Sequence, residues 1–91
     1  MTTAELEALV HEYVAGWVAH DADKVASFFT DDGVYEDVGA GARNQGREAI
    51  RAFVADGFRV FPDFHVELVS LFVTEDRAGS EWLMTGTHTG D

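Results

Sequence analysis

The first thirty residues carry apolar side chains at the spacing of an amphipathic helix. Thr2 and Glu5 form a Thr-x-x-Glu capping box, which favours a helix start. After a break in the pattern, Asp21 is a suitable N-cap for a second, short helix. We therefore predict a helical hairpin. Its first stripe consists of Leu6, Leu9, Val10, Tyr13, Val14, Trp17 and Val18, and its second of Val25, Phe28 and Phe29.

The middle of the chain alternates between strand and helix signals. A turn over residues 30–33 leads into a β-prone run from Val34 to Val38. Residues 39–46 are rich in glycine and are predicted to form a loop at the rim of a pocket. A third helix is expected from Arg47 until Pro62, because proline ends a helix. Its apolar stripe is Ile50, Phe53, Val54, Phe58 and Phe61.

The last third of the chain is typical of an antiparallel hairpin. Residues 64–74 predict a strand, residues 75–79 a turn, and residues 80–89 a returning strand. Period-two alternation places Trp82, Met84, Gly86 and His88 on one face of the returning strand. With about three strands in all, that strand is left as an open edge, which folds normally cover. We therefore expect completion by strands absent from this chain or by a second subunit, and we predict a homodimer.

Composition narrows the class of partner. At 91 residues the chain predicts a single α+β domain over residues 1–91. Six basic against 17 acidic residues give a formal net charge of −11, which argues against nucleic acid and anionic membrane surfaces. An apolar small molecule is the expected ligand. The sequence shows no leader and no membrane-spanning run, so we expect a soluble, cytoplasmic protein.

Metal and cofactor chemistry is not expected. The chain has no cysteine, which excludes disulfides, thiolate catalysis and cysteine-type zinc sites. The four histidines show no spacing that would gather metal ligands. The sequence therefore predicts neither a metal site nor a cofactor.

The order helix, helix, strand, helix and long antiparallel strands resembles the nuclear transport factor 2-like superfamily, which includes ketosteroid isomerases and SnoaL-like polyketide cyclases. The resemblance implies a cone-shaped α+β fold, the cystatin-like cone, in which a curved antiparallel sheet wraps around N-terminal helices. It also implies that C-terminal strands are missing from this chain. The segments that carry the resemblance are residues 13–17, 21–29, 30–37, 46–50 and 86–90, together with Trp82.

The resemblance also implies functional residues. In ketosteroid isomerases a tyrosine on the first helix donates a hydrogen bond to the developing oxyanion, and an aspartate ending the first strand moves the proton. Tyr13 and Asp37 match those positions, although Val38 stands where the family has proline. SnoaL-like cyclases use a histidine in a stretch similar to residues 86–90, which His88 matches as an auxiliary acid or orienting group. The later-strand acid of both groups would fall beyond Asp91.

Each of these residues also has a structural explanation. Asp37 could be a solvated strand end, and Tyr13 and His88 could serve packing alone. The same choice between core packing and lining of an apolar ligand cavity applies to Trp17, Phe53, Trp82 and Met84. Two functions therefore stay open. One is cofactor-independent acid/base chemistry, isomerisation or cyclisation, on an apolar carbonyl compound; the other is a non-catalytic ligand-binding or dimerisation module.

Overall fold

The computed structural model of the protein describes residues 2–90. They form three helices and two antiparallel hairpins, so the predicted α+β class is confirmed. In chain order the elements are α1 (Thr3–Val18), α2 (Ala22–Ser27), β1 (Val34–Asp37), β2 (Ala42–Gln45), α3 (Arg47–Val60), β3 (His65–Val73) and β4 (Ala78–Thr85).

The helical hairpin begins where the sequence predicts it. The Thr2 hydroxyl accepts from the backbone N–H of Glu5 at 3.1 Å, and the Glu5 carboxylate accepts from the Thr2 N–H at 3.0 Å. Asp21 caps α2 by accepting from the Lys24 N–H at 3.0 Å. Gly16 allows α1 and α2 to approach, since a Cβ there would lie 3.2 Å from a Val25 methyl group. Local capping and this close approach therefore define the hairpin.

The apolar stripe of α1 is only partly buried. Val14 and Trp17 are 8% and 9% exposed and belong to the core. Leu9 and Val18, predicted on the same stripe, are 40% and 45% exposed. Among residues 2–90, α1 packs mainly on β3 and α2, and these cover a narrower strip than the sequence pattern predicts.

The predicted loop over residues 39–46 is wrong, because residues 42–45 form β2. This strand pairs with β1 in antiparallel register, from Val34 opposite Gln45 to Asp37 opposite Ala42. Its polar side chains have low strand propensity, so cross-strand pairing rather than local preference holds it. Gly41 closes the turn with a φ of 67°, which glycine adopts without strain. The hairpin thereby fixes Asp37 at the end of β1.

The second hairpin is longer, and its returning strand is displaced from the prediction. β3 and β4 pair from His65 opposite Thr85 to Val73 opposite Ala78, with a bulge between Leu68 and Ser70. β4 ends at Thr85 rather than Thr89.

Competing hydrogen bonds explain the early end of β4. The Asp63 carboxylate accepts from the Thr87 N–H at 2.7 Å. The N–H groups of Thr89 and Gly90 donate to the Val60 carbonyl at 3.2 and 3.0 Å. Residues 86–90 therefore fold over the end of α3, and His88 lies outside the strand. The pKa of Asp63 is lowered by the bond from Thr87.

The core lies between the helices and β3. Its buried members are Val14, Trp17, Val25, Ala26, Ile50, Val54 and Val66. The two hairpins form separate two-stranded sheets, and residues of both β1 and β4 line a cavity. Within residues 2–90, no helix combines the length and apolar character needed to cross a membrane.

Candidate active site

An open cavity of about 890 Å³ lies among α1, β1, α3 and β4. Eight of its lining residues are aromatic, which suits a flat apolar ligand. They are Tyr13, Trp17, Tyr35, Phe53, Phe58, Phe61, Phe64 and Trp82. A smaller cavity of about 180 Å³ between α1 and α2 is lined by apolar residues and Tyr13 without a carboxylate. The larger cavity is therefore the candidate site.

Asp37 supplies a carboxylate to this cavity. It is the last residue of β1, is half-buried and belongs to the lining. One oxygen, Oδ1, accepts from the backbone N–H of Ala40 at 3.0 Å, which orients the group. The hydrogen bond described for this carboxylate uses Oδ1 and leaves Oδ2 available to a ligand.

Tyr13 faces the same cavity from the middle of α1. Its ring packs against Trp82 with centroids 5.9 Å apart and edge-on against Phe28 at 5.5 Å. Burial raises the pKa of its hydroxyl, and the nearby indole N–H of Trp17 opposes that rise. The hydroxyl is consequently protonated at neutral pH and can donate a hydrogen bond to an oxygen of a ligand.

Tyr35 is a further polar member of the lining. Burial raises its pKa to about 12, and negative charge on an ionised Tyr13 and on Asp37 adds to the rise. Tyr35 is not among the predicted site residues, although period-two alternation places it on the same face of β1 as Asp37 and is the signal that points to it.

The raised pKa of Tyr35 predicts a loss of stability in alkali. An unfolded tyrosine ionises near pH 10, whereas the folded one ionises near pH 12. The stabilisation is therefore complete below pH 10 and is lost as the pH rises to 12. A shift of two pKa units can change the free energy of unfolding by at most about 2.7 kcal/mol. Solvent screening of the half-buried ring reduces this change to about 1 kcal/mol.

Urea unfolding at intervals across this pH range checks the prediction. Tyr35→Phe removes the titrating group and keeps the ring, so its unfolding free energy should fall less steeply with pH than that of the wild type. Equal slopes for the two proteins would contradict the assignment.

The four residues predicted to contact a ligand are Trp17, Phe53, Trp82 and Met84. All four line the cavity. Trp17 is the most deeply buried of them, and Met84 is 62% exposed at the mouth. Trp82 donates its indole N–H to the Ser80 hydroxyl at 2.7 Å. Gly57, Phe61 and Phe64 extend the lining beyond the predicted residues.

His88 does not join Tyr13 and Asp37. It is exposed, packs against Phe61 with ring centroids 5.3 Å apart, and is not among the lining residues. The prediction of one strand face shared by Trp82, Met84 and His88 is wrong because β4 ends first. Among residues 2–90, the lining contains no histidine, lysine or arginine.

His20 contacts two residues of the cavity wall, Phe58 and Phe64, without belonging to the lining itself. Its ring stacks on Phe58 with centroids 4.5 Å apart and an interplanar angle of 3°. Its Nε2 lies 2.6 Å from the Phe64 carbonyl oxygen. These contacts tie the end of α1 to α3 and to the start of β3. In the described part of the chain, no group of three or more His, Cys, Asp or Glu side chains could hold a metal ion.

Comparison with solved structures finds similar folds in bacterial proteins. A hypothetical protein from Catenulispora acidiphila DSM 44928 with a ketosteroid isomerase-like fold, solved in complex with trimethylamine, is 26% identical with a TM-score of 0.83. That alignment covers 89% of this chain and 62% of that protein. AclR, a candidate hydroxylase from Streptomyces galilaeus, is 27% identical with a TM-score of 0.81 over 99% of this chain and 65% of AclR.

A candidate polyketide cyclase from Sinorhizobium meliloti is also similar. It is 26% identical with a TM-score of 0.80, and the alignment covers 99% of this chain and 80% of that protein. The chain thus spans less than two thirds of the Catenulispora protein and of AclR. These similarities confirm the predicted cone fold.

No curated protein matches the sequence. The model of the SnoaL-like domain matches residues 10–91, which is most of the chain. The protein therefore belongs to the SnoaL-like domain family, within the nuclear transport factor 2-like superfamily.

Proposed function

We propose that this domain performs cofactor-independent acid/base chemistry, isomerisation or cyclisation, on an apolar carbonyl compound. The observation that carries the proposal is that Asp37 and Tyr13 line one aromatic cavity. A carboxylate and a protonated hydroxyl in an apolar cavity are the two groups that enolisation of a ketone requires. The similarity to a ketosteroid isomerase-like fold and to a candidate polyketide cyclase supports this class of reaction.

The proposed reaction begins with Asp37. Its carboxylate removes a proton from the carbon beside the carbonyl group, and the electron pair of the broken C–H bond moves to the carbonyl oxygen. Tyr13 donates a hydrogen bond to that oxygen as negative charge develops on it. In an isomerisation the carboxylic acid then returns the proton to a different carbon. In a cyclisation the enolate carbon attacks a second carbonyl carbon of the same molecule, and the proton goes to the new alkoxide.

A non-catalytic binding domain is the second candidate. The hydrogen bond from Ala40 to Asp37 favours it, because closing the β1–β2 turn is a sufficient structural role for the carboxylate. In that case the cavity binds a ligand and the carboxylate transfers no proton. The two candidates differ in whether a bound ketone exchanges its α protons.

A size series at Gly57 tests whether the cavity is the site of reaction. Gly57 lies on the cavity side of α3, and an added Cβ meets no atom within 4 Å. Larger residues can therefore enter the cavity without breaking the helix. We expect α-proton exchange of 2-tetralone in deuterium oxide, followed by NMR, to fall progressively from Gly57→Ala through Gly57→Leu to Gly57→Trp, with a loss of at least about tenfold for Trp.

Stability supplies the control for this series. Alanine in place of a helical glycine stabilises a protein by roughly 0.5–1 kcal/mol, so Gly57→Ala should unfold at higher urea concentration than the wild type. No measurable exchange by the wild type on a panel of enolisable ketones would exclude the enzymatic proposal. Exchange that does not depend on side-chain size at this position would place the reaction elsewhere.

We also propose that the domain assembles as a homodimer. Large apolar side chains lie exposed on the β3–β4 hairpin, including Val69 at 63%, Phe72 at 67% and Leu83 at 55%. Leu83 stands between Trp82 and Met84, which line the cavity, so strand alternation places its side chain on the opposite face of β4. Sedimentation at micromolar concentration should show a dimer that Leu83→Glu weakens. A stable monomer would exclude this assembly.

A further inference from the structure

The indole N–H of Trp17 is a buried donor for which residues 2–90 provide no well-directed acceptor. The residue is 9% exposed, and its Nε1 makes no hydrogen bond to any of residues 2–90. Buried polar groups are almost always paired, so an orphaned donor needs an explanation. Trp17 also lines the candidate cavity, where a ligand could supply the acceptor.

Two comparisons within the chain distinguish this donor from others. Trp82 lines the same cavity, but its indole N–H already donates to the Ser80 hydroxyl at 2.7 Å. Asn44 Nδ2 is also buried without a partner among residues 2–90, but Asn44 does not belong to the cavity lining. Of these two buried and unpaired groups, only the Trp17 N–H belongs to a residue that lines the cavity.

Trp17 acts beside Tyr13. The two residues are one helical turn apart on α1, and their rings meet edge to face with centroids 6.3 Å apart. The indole N–H lies near enough to the Tyr13 hydroxyl to lower its pKa, although the two groups do not form a well-directed hydrogen bond. Two donors from one face of α1 therefore lie side by side at the cavity.

We propose that Trp17 Nε1 is the second hydrogen-bond donor to the carbonyl oxygen of the ligand, next to the Tyr13 hydroxyl. The inference rests on the proposed function for the class of ligand, and it assigns this oxygen to a ketone flanked by apolar groups. An oxygen accepting from both donors satisfies the orphaned N–H. During enolisation the same pair stabilises the charge that develops on the oxygen.

The test compares 2-tetralone with tetralin, which has the same rings without the oxygen. Calorimetry gives the ratio of their affinities for the wild type, Trp17→Phe and Trp82→Phe. Trp17→Phe keeps an aromatic ring and removes the N–H, so the preference for the ketone should fall about five- to tenfold. Trp82→Phe removes an N–H that Ser80 accepts, so any loss should affect both ligands alike. An unchanged ratio in folded Trp17→Phe would overturn the proposal.

A measurement on the wild type decides the question if Trp17→Phe does not fold. The chain contains two tryptophans, so proton–nitrogen correlation spectra show two indole signals, which Trp82→Phe assigns. The Trp17 N–H proton should move downfield with 2-tetralone and not with tetralin. Equal shifts with both ligands would contradict the inference.

The experiments can exclude the catalytic proposal and the donor role of Trp17 independently of each other. Ketone-specific shifts without proton exchange would support the donor and exclude the catalysis. Exchange without such shifts would support the catalysis and exclude the donor.

Discussion

Asp37→Asn should lower the rate of α-proton exchange of 2-tetralone by about 10²–10⁴-fold, the usual contribution of a general base. Asparagine has nearly the same shape but cannot accept the proton. Its side-chain oxygen can still accept from the Ala40 N–H, which Asp37 binds at 3.0 Å, so the β1–β2 turn should persist. Proton NMR in deuterium oxide measures the rate, and calorimetry should show ketone affinity close to that of the wild type.

Asp37→Ala separates catalysis from turn formation. If the carboxylate only closes the turn, Asn should behave as the wild type, whereas Ala should lose stability. If the carboxylate transfers the proton, both variants should lose exchange, and only Ala should lose stability as well. Equal exchange by the wild type and Asp37→Asn would refute the role of Asp37 as base.

Tyr13→Phe should lower kcat for the same exchange by about 10²-fold, in the range measured for removal of one oxyanion donor. Phenylalanine retains the ring contacts with Trp82 and Phe28, so the cavity wall should be preserved. Because the hydrogen bond strengthens as charge develops, the loss should fall mainly on kcat rather than on KM. Steady-state kinetics with 2-tetralone measures both.

Tyr35→Phe is the matched control for Tyr13→Phe. It removes a hydroxyl from the same cavity, but one that β1 carries rather than α1. Its effect on kcat should be clearly smaller. Equal losses for the two variants would mean that general polarity of the cavity, rather than a specific donor, controls the rate.

Local signals in the sequence were sufficient for the helices and for Asp37. The capping box of Thr2 and Glu5 predicts the start of α1, and side-chain alternation predicts that Tyr35 and Asp37 share a face. Tyr13 follows from its place on the helical stripe together with the family resemblance. These features depend on a few neighbouring residues, which is why sequence patterns identify them.

Features set by distant contacts could not be predicted in this way. β2 forms from polar residues because β1 offers a pairing partner, a preference that local propensity does not contain. His88 leaves the strand because Asp63 and Val60, more than twenty residues earlier, bind the backbone of residues 87–90. Likewise, the sequence does not reveal that the Trp17 N–H lacks a partner among residues 2–90, because this depends on how distant elements pack around it.

A crystal structure with bound 2-tetralone would show whether the cavity holds a ketone in position for proton transfer. We expect the ligand in the large cavity, with its oxygen facing the Tyr13 hydroxyl and its α carbon about 3–3.5 Å from a carboxylate oxygen of Asp37. A ketone bound in the smaller cavity between α1 and α2 would contradict the proposed mechanism. So would a ketone in the large cavity whose oxygen points away from Tyr13 and whose α carbon lies out of reach of Asp37.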